Sequence, residues 1–132
     1  MGLLSKLFGT KPKVTPTHIN DSNFQAEVMR YTGPVILDVW GPGCAPCKQF
    51  EPILVDLATQ YDGRVKVCEM STQAAPMAAG RLRVMSTPSI IYFKRGREVE
   101  RVSGMRGSLY HQQTIEEFFE IPPKPVEADS AD

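Results

Sequence analysis

Residues 34–52, PVILDVWGPGCAPCKQFEP, decide the fold because two kinds of apolar pattern meet in them. The near-continuous apolar run 34–40 is typical of a strand that is buried on both faces of a sheet. From Phe50 onward, the apolar residues recur with the spacing of one helix face. Cys44 and Cys47 therefore lie where a buried strand passes into a helix. Such a pair is typical of a redox site, half of a metal site or a structural disulfide.

The position of Cys44 near the N-cap of this helix has a chemical consequence. An N-cap side chain accepts a hydrogen bond from the second or third helical residue, and Pro46 has no N–H to donate. The N–H of Cys47 is therefore predicted to point at the Cys44 sulfur, where the helix dipole also favours a thiolate. We predict that Cys44 is the exposed nucleophile and that Cys47 is the shielded resolving thiol.

The length and cysteine content favour one interpretation of the pair. A chain of 132 residues is long enough for one domain whose core needs no disulfide to support it. A structural zinc site usually takes four ligands, whereas this chain adds only Cys68, His18 and His111 to the pair. A disulfide that closes so short a loop would stabilise the fold little. The redox interpretation is favoured, and no metal is predicted.

Charge and hydropathy bear on two questions, the partners of the protein and its cellular compartment. The chain has 15 basic residues (Lys and Arg) and 15 acidic residues (Asp and Glu). The overall charge therefore does not indicate nucleic acid or anionic lipid as a partner. The N-terminal residues lack the pattern of a signal peptide, and no apolar stretch approaches the roughly 20 residues of a membrane span. These features predict a reducing cytoplasm, where a close cysteine pair is more often catalytic or metal-binding than structural.

Two tails are predicted to flank a single domain over residues 16–121. Residues 122–132 are Pro-rich and then acidic, a composition typical of disorder. Residues 1–15 form a basic extension whose apolar side chains would line one side of a short helix. These side chains are Leu3, Leu4, Leu7 and Phe8.

Strand-like and helix-like patterns alternate within the predicted domain. A short helix capped by residues 21–23 comes first. The elements after it follow the order βαβα and then ββα, with a strand over residues 64–70 and a hairpin turn over residues 95–97. This order predicts an α/β fold with a central mixed sheet and helices on both faces.

Several separated motifs of this chain resemble the thioredoxin family, in the same order. They are VILDVWGPGCAPCKQFEP, STPSIIYF and RVSGMRGS, and the resemblance covers roughly residues 17–120. It implies a thioredoxin fold and thiol–disulfide oxidoreductase activity. It also implies that Pro88 is the family's cis-proline, Asp38 its buried acid, Pro52 its helix-kinking proline and Gly104 its substrate-groove glycine.

Physical arguments apply to Asp38 and to Trp40, the last residue of the strand in the first motif. Apolar neighbours surround Asp38 in the strand, and burial should raise its pKa toward the range of a general base. Trp40 is expected to pack beneath the active site. With the resemblance, these arguments predict a substrate-binding surface that comprises Thr87, Pro88, Gly43, Trp40 and Gly104.

The chain departs from the family pattern around the cysteines. Gly43 stands where the family usually has Trp, and Ala45 stands where it has Gly. Glu69 aligns with the family's usual buried lysine, so a second carboxylate should raise the pKa of Asp38 further. Thr87 replaces the usual Ile or Val before the cis-proline. These differences indicate an atypical thioredoxin.

The sequence thus predicts a cytoplasmic, monomeric reductase of protein disulfides that needs no cofactor. Cys44 would attack the substrate disulfide, and Cys47, deprotonated with help from Asp38, would release the reduced substrate. The resemblance alone implies an NADPH-dependent flavoprotein reductase as electron donor. Two alternatives stay open: a binding or scaffold module whose cysteine pair is not catalytic, and a thiol oxidant or isomerase.

Overall fold

A five-stranded mixed sheet organises the residues that the computed structural model describes, 12–122. The strands are β1 (Thr17–Ile19), β2 (Pro34–Trp40), β3 (Lys66–Ser71), β4 (Ser89–Lys94) and β5 (Arg97–Ser103). Their order is β1-β3-β2-β4-β5. β1 and β2 run parallel to β3, whereas β4 runs antiparallel to β2 and β5 antiparallel to β4. The predicted mixed sheet is confirmed.

Helices cover both faces of this sheet, as the order of elements predicts. They are α1 (Gln25–Met29), α2 (Ala45–Gln60), α3 (Pro76–Arg81) and α4 (Ser108–Phe119). One apolar core lies between the sheet and the chain around α1 and α3, and a second lies between the sheet and α2 with α4. The α/β thioredoxin-like architecture follows from these two layers of helices.

The side chains of β2 alternate between the two cores. Val35, Leu37 and Val39 join the core beside α1 and α3. Ile36 joins the core beside α2 and α4, and the period of two in a strand directs Asp38 to that same face. Burial on both faces explains why this strand reads as an almost unbroken apolar run.

β1 is a strand that the sequence patterns do not predict. Three residues are too few to show an alternation of apolar and polar side chains. The strand forms one edge of the sheet, with Thr17 beside Cys68 and Ile19 beside Met70 of β3. β3 itself spans residues 66–71, two residues later at its start than the predicted strand.

The predicted cap of the first helix is wrong. α1 is a single turn with π-helical hydrogen bonds, and Phe24 before it provides no side-chain cap. The Asn20 side chain instead closes the preceding turn by accepting two backbone N–H groups. The Asp21 carboxylate accepts hydrogen bonds from the N–H groups of Met77 and Ala78 at the start of α3. A residue expected to cap one helix therefore caps another that lies far along the chain.

The predicted hairpin between β4 and β5 is confirmed, with Arg95 and Gly96 at its turn. Gly96 has a φ of +74°, a region that side chains other than glycine's rarely adopt. A Cβ atom at this position would lie 2.1 Å from the carbonyl oxygen of Met29. The close approach of α1 therefore requires glycine here.

The predicted termini lie largely outside the described residues. This applies to the extension over residues 1–15, of which only 12–15 are described, and to the tail over residues 122–132, of which only Pro122 is described. The described residues also exclude the apolar side chains predicted to line a short helix, which are Leu3, Leu4, Leu7 and Phe8. Within residues 12–122, no helix has the length and apolar character needed to cross a membrane.

Candidate active site

The cysteine pair lies at the first turn of α2, directly after β2. Cys44 is the N-cap residue in an extended conformation, and Pro46 lies in the first turn. The N–H of Cys47 donates a hydrogen bond to Cys44 Sγ at 3.2 Å, as the spacing predicts. The two sulfurs form a disulfide. Cys44 is partly exposed, whereas Cys47 retains only 4% of its exposure, so a large molecule meets the Cys44 sulfur first.

A cis peptide bond between Thr87 and Pro88 lies beside the disulfide. The carbonyl oxygen of Thr87 is 3.6 Å from Cys44 Sγ. The carbonyl oxygen of Pro88 accepts a hydrogen bond from the N–H of Gly104 at 2.8 Å. The start of β4 and the end of β5 are thereby joined next to Cys44. Three residues that the resemblance matches to the substrate groove are therefore neighbours.

Asp38 lies beneath the cysteines and is almost fully buried, with 2% exposure. Its Oδ1 atom has no hydrogen-bond partner within residues 12–122. Burial is the main cause that raises the pKa of Asp38, and together with the negative charges of Glu69 and Glu51 it brings that pKa to about 7. Asp38 therefore exchanges its proton near neutral pH.

Glu69 is the neighbour of Asp38 across the β2–β3 ladder. Its carboxylate accepts two hydrogen bonds, from His18 Nδ1 at 2.7 Å and from Trp40 Nε1 at 2.6 Å. The sequence predicts the proximity of the two carboxylates but misses His18, since the strand that carries it is not predicted. Trp40 is partly exposed and hydrogen-bonded, so it does more than the apolar packing expected of it.

Two cavities adjoin the disulfide. One of about 480 Å³ is open to the outside and is lined by the Cys44–Cys47 loop together with Trp40. The other, of about 310 Å³, lies between α2 and the sheet, where Asp38, Cys47 and Glu69 line it with Glu51. Glu51 is not among the predicted site residues, although it lies one helical turn after Cys47 on α2. That i, i+4 spacing is the signal that would have found it.

The remaining predicted residues occupy varied positions. Gly43 is exposed with a φ of +68° and has open space around it. Pro52 lies inside α2, where its missing N–H removes one helical hydrogen bond. Cys68 is fully buried in the core on the opposite face of the sheet, and burial raises the pKa of its thiol to about 12. Among residues 12–122, no three His, Cys, Asp or Glu side chains are arranged to hold a metal ion.

The family model and three relatives that match this chain are all thioredoxins. The thioredoxin family model matches residues 15–117. The chain is 35% identical to thioredoxin 1 of Nostoc sp. over 98 residues, which are 74% of this chain and 92% of the relative. It is 31% identical to thioredoxin of Synechocystis sp. over 100 residues, which are 76% of this chain and 94% of the relative.

A third relative is thioredoxin M2, chloroplastic, of Arabidopsis thaliana. The chain is 37% identical to it over 86 residues, which are 65% of this chain and 46% of the relative. The chain therefore matches about half the length of this relative and nearly the whole length of the two bacterial ones.

Proposed function

The chain belongs to the thioredoxin family and reduces protein disulfides by dithiol–disulfide exchange, and we propose how its residues divide the reaction. Cys44 is the nucleophile, Cys47 is the resolving thiol, and Asp38 is the general base. The observation that carries this proposal is the hydrogen bond from the Cys47 N–H to Cys44 Sγ, together with the unequal exposure of the two sulfurs.

Two local features favour a thiolate on Cys44 in the reduced protein. The Cys47 N–H donates a hydrogen bond to the Cys44 sulfur. The N-terminus of α2 also places the positive end of the helix dipole beside this sulfur. Both lower the pKa of a thiol, and the thiolate is the form that attacks a disulfide. Cys47 has too little exposure to meet a protein substrate directly.

The reaction consists of two exchange steps. The Cys44 thiolate attacks one sulfur of the substrate disulfide, that bond breaks, and the other substrate sulfur leaves as a thiolate. Cys47 then loses its proton and attacks Cys44 Sγ, which breaks the mixed disulfide and releases the second substrate thiolate. Two electrons pass to the substrate, and the Cys44–Cys47 disulfide in the structure is the product form of the protein.

Asp38 accepts the proton of Cys47 in the second step. Both residues line the same cavity, and the pKa of Asp38 is raised to about 7. A base acts best when its pKa lies near the working pH. The carboxyl group is thus tuned to take up a proton at neutral pH and to give it back to solvent afterwards.

The substrate binds in the open cleft beside Cys44, against the predicted surface of Thr87, Pro88, Gly43, Trp40 and Gly104. An extended substrate segment would pair with the backbone of Thr87, whose carbonyl lies next to the attacking sulfur. Backbone pairing recognises many sequences. The absence of a side chain at Gly43 keeps that side of the cleft open.

The electron donor we propose is an NADPH-dependent flavoprotein reductase, which restores the dithiol. The protein acts in the cytoplasm as a monomer, and its catalytic unit is residues 16–121. The match of the family model to residues 15–117 supports this unit.

Cysteine variants test the division of roles. In the reduced protein, iodoacetamide below pH 7 should label Cys44 first. Cys44→Ser should abolish the reduction of insulin, because the remaining thiol cannot reach the substrate. Cys47→Ser should accumulate a stable mixed disulfide through Cys44, which mass spectrometry would detect.

The matched control is Cys68→Ser, which removes a thiol on the opposite face of the sheet and should leave the exchange chemistry intact. The roles are wrong if Cys47 is alkylated first or if Cys44→Ser still turns over. A normally folded wild-type protein that reduces no disulfide would instead favour the binding module.

A further inference from the structure

Three groups meet at the edge of the sheet next to the active site. His18 of β1, Trp40 of β2 and Glu69 of β3 are joined by the two hydrogen bonds to the Glu69 carboxylate. A carboxylate only accepts hydrogen bonds, so His18 Nδ1 must carry the proton of its bond. Each carboxylate oxygen receives one donor, at 2.7 Å and 2.6 Å respectively. The side chain of Glu69 is thereby held in one orientation, and we call these three residues the edge clamp.

The clamped carboxylate lies in the surroundings of Asp38. The two acids are directly paired across parallel strands, whose axes lie about 5 Å apart. Both line the 310 Å³ cavity under α2, and Glu51 contributes a third carboxylate to it. On the other side of β2, Asp38 faces Ile90, which has no charge.

The His18 imidazole is the only ion-pair partner of these three acids in the described part of the chain, residues 12–122. Among residues 12–122, neither Lys nor Arg forms an ion pair with Asp38, Glu51 or Glu69. The negative charge of Glu69, whose side chain is 25% exposed, therefore acts on Asp38 across the cavity that both line, and partly buried charges interact more strongly than charges in water. Asp38 Oδ1 has no hydrogen-bond partner among the described residues, so no protein donor at this atom offsets the effect of Glu69.

We propose that His18 and Trp40 are positioning residues, which hold the Glu69 carboxylate against Asp38 and thereby set the pH at which Asp38 gives up its proton. Without the two donors, the Glu69 side chain turns toward solvent, where its charge is better hydrated. Its effect on Asp38 then weakens. The consequence for turnover rests on the role proposed above for Asp38 as the base of the second exchange step.

The test measures the titration of Asp38 in the oxidised protein, the form in the structure, in which the paired cysteines cannot titrate. The carboxyl carbon of Asp38 is followed by NMR in protein labelled with ¹³C-aspartate, and its signal is assigned by its loss in Asp38→Asn. Glu69→Gln keeps the shape of the side chain and removes its charge. It should lower the Asp38 midpoint by about half a pH unit or more.

Two further variants remove the clamp and leave the Glu69 charge in place. His18→Phe and Trp40→Phe each delete a donor and keep an aromatic ring. Each should lower the Asp38 midpoint in the same direction as Glu69→Gln but by less. In the Glu69→Gln background, neither should produce a further shift, because the carboxylate they position is gone. The matched control is Glu51→Gln, which removes a charge from an exposed side chain on the same cavity and should shift the midpoint less than Glu69→Gln does.

The proposal is overturned if His18→Phe and Trp40→Phe leave the Asp38 midpoint unchanged, or if they shift it equally with and without Glu69. Turnover of the same variants as a function of pH then tests the separate role of Asp38. If the Asp38 midpoints shift as expected but the pH profiles of turnover do not shift with them, the edge clamp is supported and Asp38 is not the base of the second exchange step.

Discussion

Asp38 and His111 are two ionisable residues buried against the same core, beside α2 and α4, and we propose a catalytic role for Asp38 alone. Asp38 is 2% exposed and His111 is fully buried, and each has one side-chain atom without a hydrogen-bond partner within residues 12–122. Burial raises the pKa of Asp38 to about 7 and lowers the pKa of His111 to about 4. In both cases the neutral form is the one that burial favours.

The surroundings of the two residues differ. Asp38 lines a cavity with Cys47 and two other acids. His111 is hydrogen-bonded to the hydroxyl of Tyr92 at 2.5 Å and packs against the rings of Phe50 and Tyr110. A shifted pKa is therefore not by itself a sign of catalysis. Asp38 differs from His111 because it lines a cavity together with the redox-active Cys47.

The largest effect that we expect is on the pH dependence of stability. The stability that Asp38 contributes is present below pH 3.8 and is lost as the pH rises through about 7, because its folded pKa is raised. The stability that His111 contributes is present above pH 6.5 and is lost as the pH falls through about 4, because its folded pKa is lowered. Between pH 4 and 6.5 the two contributions oppose each other.

Single variants should expose each contribution. Relative to wild type, the free energy of unfolding of Asp38→Asn should rise by about 3 kcal/mol between pH 4 and 6.5. That of His111→Leu should fall by a similar amount over the same range. Urea unfolding at several pH values measures both. Slopes that change in the same direction in the two variants would contradict the opposite titrations.

The second effect is on turnover. Asp38→Asn should keep the fold and slow the reduction of insulin by roughly 10²-fold at pH 7, because the second exchange step loses its base. His111→Leu should leave turnover unchanged, since the imidazole packs against aromatic rings and a phenol hydroxyl rather than against the cysteines. An equal loss of activity in both variants would remove the distinction between a catalytic and a structural buried group.

The smallest effect concerns the hydrogen bond within the aromatic cluster. Tyr92→Phe should lower the free energy of unfolding by about 1–2 kcal/mol, because it leaves His111 Nδ1 buried without its partner. The double variant Tyr92→Phe/His111→Leu should cost less than the sum of the two single changes. Strict additivity at pH 7 would mean that the two side chains do not stabilise each other.

The sequence predicts much of the active site because its signals are local. The Cys44–Cys47 spacing, with Pro46 between them, predicts the N-cap hydrogen bond that the structure contains. The apolar neighbours of Asp38 predict its burial. The order of elements predicts the mixed sheet, because long strands and helices carry clear periodicities.

What the sequence does not reveal depends on contacts between distant residues. His18 reaches Glu69 only because β1 joins β3, and that strand is too short to show a pattern. Glu51 enters the site through the packing of α2 over the sheet. His111 could have been found, since it lies four residues before Ile115 and therefore on the buried face of α4. The sequence pattern does not reveal that the hydrogen-bond partner of His111 is Tyr92 on β4.

The two edges of the sheet have a consequence for solubility at high concentration. β1 offers only three residues at its edge, too few to template a long added strand. β5 is longer, but charged side chains occupy much of it: Arg97, Glu98, Glu100 and Arg101. Arg101 donates hydrogen bonds to Glu98 and to the carbonyl oxygen of Leu82, which fixes a charge along this edge. Short and charged edges oppose strand pairing between copies, so we expect the folded sheet to resist edge-to-edge association when copies are crowded.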